Sequence, residues 1–76
     1  MVNFTGGLLK VGTTYIPTGR VVSIDKSQNN NRNTMIYHED CDGSIGGYEL
    51  GNIKSEKVAD CFIKAEKTGK VIDVFQ

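Results

Sequence analysis

The sequence lacks long apolar runs, and nothing in it approaches the roughly 18 consecutive apolar residues that mark a membrane-spanning helix. Cysteine is scarce too, since Cys41 and Cys61 are the only two in 76 residues. No charged N-terminal segment leads into an apolar stretch and a small-residue cleavage site. These absences predict a chain without a membrane segment, an export signal or a disulfide framework, located in the reducing cytoplasm.

Net charge is also missing, because nine Lys and Arg balance nine Asp and Glu. A neutral domain has no long-range positive field of the kind that non-specific nucleic-acid binding uses, so nucleic acid is not an expected partner. The balance hides a split, since four basic residues and one acidic residue precede His38, whereas five basic and eight acidic residues follow from it onward. Such a dipolar chain can pair head to tail with itself or offer one face to a charged partner.

The chain is short, and its 76 residues allow a single domain, 1–76, in which self-association is an easy way to add buried area. Residues 1–7 end in two glycines and predict a short strand or arm. Residues 8–16 are rich in β-branched and aromatic types and are broken at Gly12, which predicts a bulged strand or a tight hairpin. Pro17 is the only proline, and it falls between strand-like runs, where its missing N–H costs no ladder hydrogen bond.

Two segments in the middle of the chain predict an antiparallel pair of strands. Residues 20–26 and 34–38 both alternate in polarity, and in the first of them Val22 and Ile24 share a face. The polar run 27–33 between them contains no apolar residue and predicts an exposed hairpin tip.

A further strand is predicted at 44–50, after the turn signal Asp42-Gly43. Alternation in the strand before that turn places Met35 and Tyr37 on one face and their neighbours on the other. The sequence therefore predicts a β-meander in this part of the chain.

The last third permits two interpretations, and the choice between them decides the fold class. Alternation over 59–66 permits a strand, which would make the domain an all-β small barrel. A helical projection separates polar from apolar residues more cleanly, and its ends carry Ser55 as N-cap and Gly69 as the left-handed terminating residue. These features favour an amphipathic helix over about 55–68, followed by a closing strand at 70–75.

The expected fold is therefore α+β: a small antiparallel β-meander of four or five strands, covered by one C-terminal helix and completed by a closing strand. The alternative is the all-β barrel. One layer of sheet under one helix leaves the other sheet face to solvent, to a curled sheet or to a partner, and a homodimer through that face is one expectation.

The densest group of reactive side chains is the run His38, Glu39, Asp40, Cys41 and Asp42. Neighbours on a strand point to opposite faces, so His38 and Asp40 can share a site with Asp42, whereas Glu39 and Cys41 cannot. No second Cys or His pair completes a tetrahedral metal shell. The only histidine, His38, is the natural group for an acid/base step near neutral pH. We expect no metal, no cofactor and no catalytic residue, while a metal-dependent or small hydrolytic protein using this run stays an alternative.

Basic and aromatic residues are interleaved in the first half of the chain, where Arg20, Lys26 and Arg32 accompany Phe4, Tyr15 and Tyr37. On a sheet, this combination can hold single-stranded nucleic acid or, at a subunit interface, a small anionic ligand such as a nucleotide. The zero net charge, and the use of aromatic residues in so small a core, argue against nucleic acid.

By elimination, the sequence predicts a small non-catalytic binding module, and not an enzyme, that acts by protein–protein contact or self-association. A binder of a nucleotide or of single-stranded nucleic acid is the alternative. The candidate ligand- or partner-binding residues are Arg20, Arg32, Tyr37, His38, Asp40 and Tyr48.

Overall fold

The computed structural model describes residues 6–75, and it confirms the α+β fold. The elements in chain order are β1 (Leu8–Val11), β2 (Thr14–Pro17), a 3-10 turn (Thr18–Arg20), β3 (Val21–Lys26), β4 (Thr34–Glu39), β5 (Ile45–Leu50), α1 (Ser55–Thr68) and β6 (Val71–Asp73). Most of the predicted arm, residues 1–5, lies outside the described residues. Within 6–75, no helix is both long and apolar enough to cross a membrane.

The strands form two three-stranded sheets instead of one continuous meander. In the first sheet, β1 lies between β2, to which it is antiparallel, and β6, to which it is parallel. In the second sheet, β4 lies between β3 and β5 and is antiparallel to both. The described strands form two separate sheets and do not close into the barrel that was the alternative. Helix α1 packs against both sheets.

One core joins the helix to both sheets. Its large, completely buried aliphatic side chains are Leu9 of β1, Ile36 of β4, Val58 of α1 and Val74 after β6. Each of them contributes about 1.5–3 kcal/mol to stability by leaving water. Ala65 is buried two helical turns after Val58, so one face of α1 carries the contact, as the helical projection predicts.

The helix spans the predicted residues, but its N-cap differs from the prediction. Gly69 ends α1 with a φ of 69°, the left-handed conformation that was expected there. The N-cap is Lys54, whose side chain makes no capping hydrogen bond, so the prediction that Ser55 caps the helix is wrong. Ser55 is instead the first helical residue, while Glu56 and Lys67 complement the helix dipole at the two ends.

Strand β3 departs from simple alternation at a bulge between Val21 and Ser23. The extra residue shifts the side chains that follow, so Val21 packs against the core whereas Val22 is 57% exposed. The prediction that Val22 and Ile24 share a face is therefore wrong, because only Ile24 packs against the core.

Strand β4 follows its predicted alternation. Thr34 and Ile36 are completely buried, while Met35 and Tyr37 lie on the opposite face. The buried Thr34 hydroxyl donates a hydrogen bond of 2.7 Å to the Ile53 carbonyl, which ties β4 to the chain segment before α1.

Two of the predicted turns have recognisable geometry. The β1–β2 loop has two residues, and Gly12 at its first position has a φ of 63°, the sign that a type II′ turn requires. Between β4 and β5, the Gly43 N–H donates to the Asp40 carbonyl at 3.0 Å and the Asp40 N–H donates to the Ser44 carbonyl at 2.8 Å. With Gly43 at a φ of 86°, this is a type I turn followed by a glycine bulge.

The two remaining loop and strand predictions hold only in part. The exposed tip expected at 27–33 is exposed over 28–32, whereas Ser27 is buried and its N–H donates to the Asn33 carbonyl at 3.0 Å, which closes the loop. The closing strand is shorter than the predicted 70–75, since Asp73 Oδ1 accepts a hydrogen bond from the Phe75 N–H at 2.9 Å and turns the chain.

Candidate functional site

The predicted cluster 38–42 lies at the end of the second sheet, where β4 turns into β5. His38 Nδ1 lies 3.3 Å from Asp40 Oδ1, so these two side chains share a side, as expected. Asp42 does not complete a three-residue cluster with them, which corrects the expectation that it shares their site. Its carboxylate accepts hydrogen bonds from the Ser44 hydroxyl at 2.7 Å and the Ser44 N–H at 3.0 Å, and the same hydroxyl lies 3.4 Å from Asp40 Oδ2. These bonds lower the pKa of Asp42 below its ordinary value.

Arg20 reaches the same end of the sheet from the 3-10 turn. Its Nη1 donates to Cys41 Sγ at 3.4 Å, and this hydrogen bond raises the pKa of Arg20. Among residues 6–75, no three His, Cys, Asp or Glu side chains gather closely enough to hold a metal ion. The metal-dependent alternative therefore receives no support from the geometry of this cluster.

Arg32 lies at the opposite end of β3 from Arg20. The six residues of β3 separate the two ends, which corresponds to roughly 16 Å at the rise of a strand. The structure therefore does not bring Arg20 and Arg32 into one site. Tyr37, the third member of that predicted set, projects from the outward face of the second sheet, between them.

That outward face has an apolar centre. Tyr37 is paired with Gly47 across the strands, and a Cβ on Gly47 would lie 3.0 Å from Met35 Cε and 3.4 Å from the Tyr37 ring. Both side chains therefore lie over the glycine. Ile45 projects beside them and is 55% exposed. We call Met35, Tyr37, Ile45 and Gly47 the outer patch.

Every charged side chain at an outward position of this sheet is a carboxylate. Asp25 lies next to Met35 on β3, Glu39 lies next to Ile45 on β4, and Glu49 lies next to Met35 on β5. All three carboxylates are exposed. The outer patch is thus an apolar centre in a negative frame, which attracts cations from solution.

The asparagine-rich loop holds one of these carboxylates in place. Asn33 Nδ2 donates to one Glu49 oxygen at 2.7 Å and Asn29 Nδ2 donates to the other at 3.5 Å. Hydrogen bonds to the ionised form, with that from Asn33 the largest, lower the pKa of Glu49 below its ordinary value. Asn33 also accepts the Asn52 N–H at 2.9 Å, so one side chain joins three segments.

Tyr48, the last predicted candidate, lies on the inner side of the second sheet. Its hydroxyl shares a hydrogen bond of 2.8 Å with the Thr14 hydroxyl at the β1–β2 turn, and its ring centroid lies 6.0 Å from that of His38. Tyr48 therefore links the two sheets, with 36% of its surface exposed.

A basic surface lies where α1 begins, at the other end of the second sheet from His38. Three adjoining clefts of about 230, 370 and 380 Å³ open there, and Lys54 lines all of them. We call the four cations that line these clefts the basic end: Lys26, Arg32, Lys54 and Lys57. Glu56 is the one carboxylate among the lining residues of these clefts.

Sequence reasoning missed half of the outer patch and half of the basic end. It placed Met35 and Tyr37 on one face, but Ile45 and Gly47 join them only through the β4–β5 register, which depends on the length of the turn. Alternation over 44–50, counted back from the Asp42-Gly43 turn, is the signal that could have found them. Nothing in the local sequence places Lys54 near Arg32.

Comparison with known proteins supplies no relative from which a function could be transferred. The function of the chain must therefore be argued from its own residues. No family model, no curated protein and no solved structure matches this chain.

Proposed function

We propose that this domain is a non-catalytic protein-binding module whose outer patch takes a basic, aliphatic segment of another protein. The observation that carries the proposal is a partly exposed apolar centre, flanked on its own sheet face by the carboxylates of Asp25, Glu39 and Glu49, on the face that α1 does not cover. The sequence also favours a binding module, because it contains few paired catalytic groups.

The centre of the patch has the composition of a protein interface. Tyr and Met are both enriched at the cores of interfaces, since they offer large contact areas that adapt to a partner. Gly47 has no side chain, so Met35 and Tyr37 pack over it and form a continuous apolar surface. An aliphatic side chain of a partner can pack on this surface and bury Ile45 beside it.

The carboxylates around the outer patch determine which charge a partner should carry. Asp25, Glu39 and Glu49 favour Lys or Arg on the facing surface, and complementary charges raise the rate of association. A symmetric dimer through this face would place the same three carboxylates opposite one another, at an electrostatic cost. We therefore assign a different protein, and not a second copy, to the outer patch.

A pair of synthetic peptides tests the proposal. An alternating Lys–Val octapeptide should shift the NMR amide signals of Met35, Tyr37, Ile45 and Gly47, and added salt should weaken the effect because the frame is exposed. A Glu–Val octapeptide of the same length should leave these signals in place. Equal shifts from both peptides, or shifts centred on α1, would overturn the proposal.

Two tyrosines of similar character provide a matched pair of variants. Tyr37→Ser should weaken binding of the Lys–Val peptide by at least about tenfold, as expected when an aromatic contact at the centre of an interface is lost. Tyr15→Ser is the control, because Tyr15 is 53% exposed on β2 and lies outside the outer patch. Similar affinities for the two variants would move the binding site away from Tyr37.

The basic end supports a second candidate function, which is binding of a nucleotide or a similar anion. Its four cations line adjoining clefts, and a polyphosphate can contact several of them at once. ADP should shift the signals of Arg32 and Lys54, whereas adenosine should not. Shifts with adenosine alone, or no shift with ADP, would remove this candidate.

A further inference from the structure

Among residues 6–75, the second sheet has two edge strands, β3 and β5; only β5 lacks features that protect an edge, and we infer that two copies of this chain join there. The two β5 strands pair antiparallel about a two-fold axis at Gly47 and make one continuous sheet. This inference does not rest on the partner proposed for the outer patch, because the contacts that join the two copies are mainly backbone hydrogen bonds at the edge of β5.

The other three edges carry features that hinder strand addition. β2 ends at Pro17, β6 has only three residues, and β3 contains a bulge and ends at Lys26. Proline, lysine, bulges and shortness are the usual means by which proteins protect sheet edges. β5 has six residues paired with β4 in regular register, and it contains no proline, lysine or bulge.

The turn before β5 shows which backbone groups face the open edge. Asp40 N–H donates to the Ser44 carbonyl, so the Ser44 carbonyl points towards β4. Backbone direction alternates along a strand, so the N–H and C=O groups of Ile45, Gly47 and Glu49 point away from β4. Within the described part of the chain, these three residues therefore present donors and acceptors along the edge that no other strand pairs with.

A register centred on Gly47 pairs these three residues with one another. Gly47 then faces Gly47 of the second copy, and Ile45 of each copy faces Glu49 of the other. All three are hydrogen-bonded pairs, in which both N–H groups find a carbonyl. If the pairing shifted by one residue, backbone N–H and C=O groups that point away from β4 in one copy would face residues whose groups point towards β4 in the other. The hydrogen-bond ladder between the two copies would then be lost.

The side chains of β5 fit this register on both faces of the sheet. On the inner face, Tyr48 lies opposite Gly46 of the second copy, and an aromatic ring beside a strand glycine covers exposed backbone. On the outer face, the single charged residue of β5, Glu49, faces Ile45 and not its own copy. Like charges are thus kept apart at the closest contact, and the two outer patches lie side by side.

A matched pair of substitutions at two exposed β-branched residues, Ile45 on β5 and Val22 on β3, tests the pairing. We expect the wild type to form dimers as its concentration rises from micromolar to millimolar, measured by analytical ultracentrifugation. Ile45→Glu should weaken dimerisation by at least about tenfold, because in this register position 45 faces Glu49 of the second copy and like charges directly opposite each other repel. Val22→Glu should not, because Val22 is similarly exposed, at 57% against 55%, but lies on β3.

Backbone substitution by chemical synthesis gives a stricter test that leaves side chains unchanged. N-methylglycine at position 47 removes an outward N–H and should yield a folded monomer with the wild-type circular dichroism spectrum. N-methylglycine at position 46 removes an N–H that points to β4, so it should lower the unfolding temperature instead. A wild type that stays monomeric, or dimers that persist with N-methylated Gly47, would overturn the inference. Binding of the Lys–Val peptide by a monomeric wild type would still support the function proposed for the outer patch.

Discussion

Asn33 joins three segments of the chain through one amide side chain. Its Nδ2 donates to Glu49 on β5, and its Oδ1 accepts from the Asn52 N–H before α1. The polar composition of 27–33 predicts an exposed loop, but it does not reveal that a loop asparagine fixes a carboxylate at the rim of the outer patch. That link depends on the β4–β5 register, which brings Glu49 beside Met35.

Asn33→Asp should raise the pKa of Glu49. The aspartate keeps an oxygen for the Asn52 N–H, but it replaces the donor with a second negative charge. The folded pKa of Glu49 lies below its ordinary value, so its contribution to stability is present above the unfolded pKa and is lost as pH falls through the folded pKa. In Asn33→Asp this acid-sensitive contribution should shrink, as measured by NMR titration and by urea unfolding at several pH values.

Asn30→Asp is the control for that substitution. It adds the same charge to the same loop, while its Oδ1 can still accept the Arg32 N–H that it binds at 3.0 Å. An equal rise of the Glu49 pKa in both variants would show that the charge, and not the lost donor, is responsible.

At the scale of elements, the sequence predicts what local periodicity determines. The separation of polar and apolar residues over 55–68 and the glycine at position 69 predict α1 with correct bounds. The bulge at Val22 and the division into two sheets were not predictable, because both depend on contacts between distant segments. The parallel pairing of β6 with β1 likewise follows from how α1 packs, and not from the composition of either strand.

Lys54→Ser should stabilise the protein by about 1 kcal/mol, since a serine at the N-cap accepts a hydrogen bond that lysine cannot. Ser55→Ala should change the free energy of unfolding by less than about 0.5 kcal/mol, because Ser55 is inside the first turn. Urea denaturation of both variants measures these differences. A loss of about 1 kcal/mol in Ser55→Ala would instead identify Ser55 as the cap.

At the scale of the whole molecule, Gly7 marks the place where three elements meet. It precedes β1 and lies against the end of α1 and the start of β6, where a Cβ would overlap the carbonyl oxygens of Ala65 and Lys70. Both obstacles are backbone atoms, so no side-chain rotation can relieve them. The sequence shows a glycine pair at 6–7 and suggests a turn, but the close approach of three segments appears only in the fold.

Gly7→Ala should destabilise the protein by about 3 kcal/mol, because the helix end and β6 must move away from β1. Gly19→Ala is the control, since a Cβ at Gly19 meets nothing within 4 Å, and its effect should stay within about 0.5 kcal/mol. Thermal or urea unfolding distinguishes the two. Equal stability of both variants would mean that β1 does not approach α1 as closely as described.

The bulge in β3 also limits how far copies of the chain can assemble. Once two molecules share their β5 strands, the outer borders of the joined sheet are the two β3 strands, where Val22 interrupts the hydrogen-bond ladder. A third molecule finds no regular border on which to continue. Growth therefore stops at the pair, and the protein is protected from polymerising into fibres.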